Sequence, residues 1–201
     1  MRNLFYSLFS TKNTRTRLFL SLFALMVCSS LFFSPAFADD EKEIQIQVYL
    51  TNKQALEIAF PGADEVEKEK HWLTDEQRKA IGDLSFQTIT EQRMTFYVGK
   101  KKGKPLGYMV IDNVIGKSFP ITYMVVLNAD GIVRDVEVMV YREPRGWEVR
   151  DKSFLSQFLG KDSASDFRGI NTLTGATLSV RAMTHGVQKA AASYKVLYLD
   201  K

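Results

Sequence analysis

Cysteine is almost missing from this chain. Cys28 is the single one in 201 residues, and it sits in an apolar run near the N-terminus. A lipoprotein signal needs a small residue just before the cysteine, and Val27 is not small. With that run removed no thiol remains, which excludes disulfides, iron–sulfur clusters and thiolate zinc sites. Histidine is scarce too. His71 and His185 stand far apart with no ligand partner at metal spacing, so both read as surface residues and no metal is expected. The chain has no G-x-G-x-x-G and no G-x-S-x-G. Gly116-Lys117-Ser118 ends like a phosphate-binding loop, but the required earlier glycine falls on Ile111, so the segment reads as a turn between strands. Two histidines and no cysteine nucleophile leave nucleophilic catalysis without support. There is no internal repeat and no low-complexity linker.

The charge is informative once it is divided. The chain has 27 Lys+Arg against 23 Asp+Glu. Four of the bases (Arg2, Lys12, Arg15 and Arg17) lie in the first 38 residues, which hold no acid, so the remainder has 23 of each sign. The basic pI belongs to a leader and not to a folded surface, which removes nucleic acid as a partner. After Arg17 comes the apolar stretch Leu18 to Phe33, then Ser34-Pro35 and Ala36-Phe37-Ala38. A basic start, a short apolar middle and an Ala-x-Ala exit have the pattern of a secretory signal peptide, with a retained N-terminal membrane anchor as the other reading. In both cases the rest lies outside the cytoplasm, in the periplasm or on the outer face of the membrane.

From residue 39 the patterning predicts an α+β domain, an antiparallel meander with helices packed on one sheet face. Ile44, Ile46 and Val48 alternate with polar residues as in a strand. Thr51–Gln54 and Thr74–Gln77 have capping-box spacing and open two short helices, the second ending near Gly82. Between them Val66 to Leu73 is ambiguous, and its alternating charges read as a solvated face. Four strands follow over 95–100, 106–113, 119–127 and 132–141, with a tight turn at Asn128-Ala-Asp-Gly131. Asp151 is placed to cap a short helix carrying Phe154, Leu155 and Phe158, stopped by Gly160. Apolar residues at 183, 187, 190, 191, 194 and 197 predict a long closing helix with one face on the sheet. The expected division is a leader over 1–38, an N-terminal α/β extension over 39–100 and the main domain over 101–201.

Chemistry concentrates just before that helix. Asn171-Thr-Leu-Thr-Gly-Ala-Thr177-Leu-Ser179 places hydroxyls around one glycine where free N–H groups and the helix dipole favour an anion. Arg181 lies one turn beyond Thr177, and Arg168 lies upstream. The simpler alternative is an N-cap formed by Thr174 or Thr177.

Thr174-Gly175-Ala176-Thr177 resembles the covalent flavin attachment motif of the FMN-binding domain, Asp-x-x-(Ser/Thr)-Gly-Ala-(Thr/Ser). That family includes the FMN-carrying subunits of the sodium-pumping NADH:quinone oxidoreductase and of the related ferredoxin-linked (Rnf) complex. Asn171 stands where the family has Asp; it keeps a hydrogen-bonding side chain and loses a charge. The resemblance extends over roughly residues 103–197, through Val138 to Gly146 and Phe158-Leu-Gly-Lys161. It implies FMN joined through a phosphodiester to Thr177 by a periplasmic FAD:protein FMN transferase. Leu173, Thr174, Gly175 and Ala176 then surround the phosphate, and Arg181 helps neutralise it. Tyr141, Glu143 and Trp147 are the candidate neighbours of the flavin ring. The function implied is a tethered electron carrier between redox partners, a haem protein or a membrane oxidoreductase. The alternatives are a flavin-dependent reductase acting on a small acceptor, and a cofactor-free binding module.

Overall fold

The structure, a computed structural model, describes residues 46–200, and the leader and the first residues of the predicted front strand lie outside them. The elements follow the sequence pattern closely. Strand β1 (Gln47–Val48) ends the predicted front strand. Helix α1 (Asn52–Ala59) opens on Thr51, whose hydroxyl accepts from the Gln54 N–H while the Gln54 side chain accepts from the Thr51 N–H. Thr74 and Gln77 make the same reciprocal box for α2 (Asp75–Ser85). Strands β3 (Arg93–Lys101), β4 (Lys104–Ile115), β5 (Pro120–Leu127) and β6 (Val133–Tyr141) form the meander.

The ambiguous charged run is a strand. β2 (Glu65–Trp72) pairs antiparallel with β3 over its whole length. The sheet therefore has six strands in the order β1-β6-β5-β4-β3-β2. β2 is its edge, and alternating Glu and Lys on an edge discourage pairing with another chain. β3 and β4, on either side of the turn at Lys102-Gly103, belong to this one sheet.

Helices cover both faces, not one. Alternation along β4 and β5 sends Val110, Tyr123, Val125 and Leu127 into the larger core, and Met109, Met124 and Val126 into a smaller one. Ala55, Ala59 and Phe60 of the α1 region close the smaller core. α2 and the long helix α4 (Thr177–Tyr194) pack on the larger. Between β6 and α4 the chain makes a 3₁₀ turn (Trp147–Arg150), the single helical turn α3 (Lys152–Leu155) and another 3₁₀ turn (Ser156–Phe158). Asp151 occupies the N-cap of α3, but its side chain makes no capping bond, contrary to expectation.

Two contacts set the seating of α4. At its C-terminal end Tyr194 donates to the Ala129 carbonyl at 2.9 Å. The chain continues as a π-helical turn (Lys195–Leu199), where Tyr198 stacks on Tyr194 with centroids 5.0 Å apart. His71 is not a surface residue: its Nε2 lies 2.8 Å from the Tyr198 hydroxyl, half-buried beside Phe96. In mid-helix, Lys189 pairs with Glu91 and with Asp112 at 2.9 Å. Burial alone would lower the Lys189 ammonium, but the two carboxylates outweigh it and hold its pKa above the ordinary value.

No helix among the described residues is long and apolar enough to cross a membrane. Gly186 brings α4 close to β5, since a Cβ there would lie 2.6 Å from the buried Tyr123 ring. Gly186→Ala is expected to destabilise the fold, because overpacking costs about 1–3 kcal/mol and alanine regains at most about 1 kcal/mol in a helix. A lowered urea midpoint with an unchanged slope is the measurement that checks it.

Candidate functional site

α4 begins at Thr177 without a side-chain cap. Ala176 holds the N-cap position at φ −119° and ψ 16°, and no side-chain hydrogen bond closes that end. Neither Thr174 nor Thr177 serves as the cap, so the simpler reading of these hydroxyls does not hold. Both are exposed. The chain reaches this point through a turn in which the Ala176 N–H donates to the Leu173 carbonyl at 3.0 Å and Gly175 takes φ +83°, a conformation that side-chain-bearing residues rarely adopt. The first-turn N–H groups of this 18-residue helix are thus left without a side-chain cap, beside an exposed hydroxyl. Leu173 is half-buried against the core.

The cations around it differ. Arg181 is exposed one turn on and forms no salt bridge with a described residue. Arg168 is held twice by Asp166, at 3.0 and 3.1 Å, and is therefore committed elsewhere. The Asn171 N–H donates to Gln157 at 2.7 Å. Burial, and then the charge of Arg181, keep the His185 pKa below the ordinary value of 6.5.

The turn after β6 is seated on this helix end. The Tyr141 hydroxyl donates to the Arg145 carbonyl at 2.7 Å and lies 3.0 Å from the Ser179 hydroxyl. Gly146, at φ +86°, lies so close that a Cβ would stand 2.9 Å from Ser179 Oγ and 3.5 Å from Ala176 Cα. Trp147 is 43% and Leu178 48% exposed, giving an apolar rim beside Thr177. The Arg150 guanidinium lies over Tyr49 at 4.4 Å and over Trp147 at 5.8 Å.

Glu143 is buried, and its Oε1 is engaged within the protein. It accepts from the N–H groups of Lys117, Ser118 and Phe119 at 2.7, 2.6 and 2.8 Å. The segment that ends like a phosphate loop does bind an anion, a carboxylate of its own chain. Sequence reasoning missed this bond and the part played by Ser179 and Gly146. The glycine-containing turn at 116–118 was the available signal. Also unforeseen is an open cavity of about 630 Å³ between the end of α2 and α4, lined by Phe86, Phe167, His185 and Gln188 among others.

Comparison with known proteins bears on this site. Residues 116–192 match the family model of the FMN-binding domain. They span the β4–β5 turn, the turn after β6 and most of α4. The chain is similar to a component of the proton-translocating ferredoxin:NAD(+) oxidoreductase complex of Clostridium ljungdahlii, 25% identical over 134 residues, 62% of this chain and 72% of that protein. Among solved structures it is similar to NqrC of Shewanella oneidensis, with a TM-score of 0.49 and 15% identity over 68% of this chain and 84% of that one. The chain carries an FMN-binding domain, as the sequence resemblance implied.

Two expectations follow. Glu143→Ala strands three N–H groups, so unfolding measurements should show a loss of about 2–3 kcal/mol. In Arg181→Gln, the NMR titration midpoint of His185 should move up toward 6.5. Because the folded value is depressed, the stability linked to His185 is fully present above 6.5 and is lost as pH falls through the folded value. That loss should be smaller in Arg181→Gln.

Proposed function

We propose that this domain carries FMN joined through a phosphodiester to the Thr177 hydroxyl, and that it serves as an electron carrier outside the cytoplasmic membrane. The observation that carries the reading is the uncapped N-terminus of α4 with an exposed threonine as its first residue. A hydroxyl used as a cap would be occupied, whereas this one stands where a phosphodiester would meet the positive end of the helix. The described residues suit the group. Gly175 gives the approach a bare backbone, Leu173, Thr174 and Ala176 surround it, and Arg181 adds an exposed positive charge. Trp147 and Leu178 offer apolar area on which a flat ring can rest.

FMN, when attached, supplies the redox chemistry; the protein tethers and orients it. In the attachment step the Thr177 Oγ bonds to the flavin-side phosphorus of FAD, AMP leaves, and the hydroxyl proton goes to water. The enzyme for that step is an FAD:protein FMN transferase of the exported compartment, reached through the leader pattern of residues 1–38. The relative from Clostridium ljungdahlii belongs to an oxidoreductase complex, which favours a membrane oxidoreductase as redox partner. Tethering suits such a compartment, where a dissociable flavin would be lost.

Intact-mass measurement of protein matured with the transferase should show one FMN added with loss of water. Thr177→Ser should retain the adduct and Thr177→Ala should abolish it. A Thr177→Ala protein that still carries covalent flavin, or a wild-type protein that never does, would overturn the reading.

A further inference from the structure

The end of the sheet that holds Thr177 gathers exposed bases around an exposed tryptophan and leucine. At the end holding Thr177 two acids turn inward and a third, the exposed Asp166, is paired. The Glu143 carboxylate is consumed by three backbone N–H groups, Glu148 is half-buried with its Oε2 enclosed, and Asp166 is taken by Arg168. The bases at this end turn outward. Lys117, Arg145, Arg150 and Arg181 are exposed and form no salt bridge with a described residue. Their neighbours in the fold fix three of them around the helix end. Lys117 belongs to the turn bound by Glu143, the Arg145 carbonyl accepts from Tyr141, and Arg181 is one turn from Thr177. Asp151 is exposed next to Arg150, and on its other side is Lys152, which pairs with Glu137.

The opposite end of β4, roughly 35–40 Å away along a strand of this length, holds the other basic cluster, Lys100 to Lys104. There one lysine of the four is paired, and Lys101, Lys102 and Lys104 are exposed with no salt bridge to a described residue. Lys100 pairs with Glu67 at 2.5 Å, and the Asp64 carboxylate accepts from the Lys102 N–H at 2.8 Å. The chain after its leader carries equal numbers of acids and bases, so the exposed, unbridged bases around the Thr177 end are brought together by folding and not by composition.

We infer that this cationic rim, with exposed Trp147 and Leu178 at its centre, is the docking surface for a redox protein that presents a carboxylate-rich face. Complementary fields raise encounter rates and orient the partner with its redox group toward the flavin end. The apolar centre supplies the short-range contact that charges alone lack. This inference rests on the flavin reading of Thr177 for its purpose, but not for the existence of the surface.

Two arms test it. In the first, flavin-loaded protein is reduced and then reoxidised by ferricyanide or by hexaammineruthenium(III). Each oxidant ion takes one electron, two ions are consumed per flavin, and the flavin's protons go to water. At low salt the double variant Arg145→Glu/Arg181→Glu should slow ferricyanide about tenfold and speed hexaammineruthenium. Both effects should fade in 0.5 M salt (about three times physiological ionic strength). Lys101→Glu/Lys102→Glu, equal in net charge, should leave both rates unchanged. Equal effects from the two double variants, or none from either, would overturn the inference. In the second arm, protein without flavin is titrated with polyglutamate and followed by amide NMR shifts. Salt-sensitive shifts at 117, 145–147 and 178–181 are expected. Shifts confined to 100–104, or none, would overturn the surface. Absence of the mass adduct would remove the flavin reading and leave this second arm intact.

Discussion

Three backbone N–H groups of the β4–β5 turn converge on one carboxylate oxygen of Glu143, and the seating of the turn after β6 beside Thr177 depends on that bond. Glu143 sits at the exit of β6, so the bond ties the end of one hairpin to the segment leaving the next. With the segment held, Tyr141 can reach both the Arg145 carbonyl and Ser179 of α4, and Gly146 can press against Ala176. A buried charged acceptor shared among several donors is among the stronger polar contacts available to a fold. It serves here because the β4–β5 turn points its N–H groups to one side, where they need an acceptor.

The same arrangement explains why the start of α4 is left open. Most helices satisfy their first-turn donors with a side chain of their own. In α4 the neighbouring segments supply packing through Tyr141, Gly146 and Val149, but no acceptor, and the threonines at 174 and 177 face outward. Seating comes instead from the body and far end of the helix, through Met183 and Val187 in the core, the Lys189 pairs and the Tyr194 contact. A helix held so firmly elsewhere can leave one terminus chemically available. Charge completes the picture, with the Glu143 carboxylate drawn inward as a fastener and the Arg145 and Arg181 guanidinium groups exposed.

Most of the architecture was legible in the residues. The two capping boxes, the four central strands and the closing helix come from local chemistry, periods of two and of 3.6, and turn residues, all of which act over a few positions. The charged run over 65–72 was not legible, because an edge strand with both faces partly wet carries no apolar alternation. The covering of the second sheet face by α1 was hidden as well. It depends on which side of the sheet a short helix falls, and nothing in Asn52–Ala59 encodes that direction.

The site divides in the same way. The threonine-glycine-alanine-threonine turn, its place at the head of a helix and its resemblance to a flavin attachment motif are properties of neighbouring residues, and the chain determined them before any packing. Whether those hydroxyls cap the helix or face outward, whether Glu143 meets a ligand or its own backbone, and which of the cations are left exposed were decided by contacts between segments about 25 to about 40 residues apart. Such contacts exist only once the sheet has brought its turns together, since hydrogen bonding and charge pairing act over a few ångströms of space and are indifferent to distance along the chain.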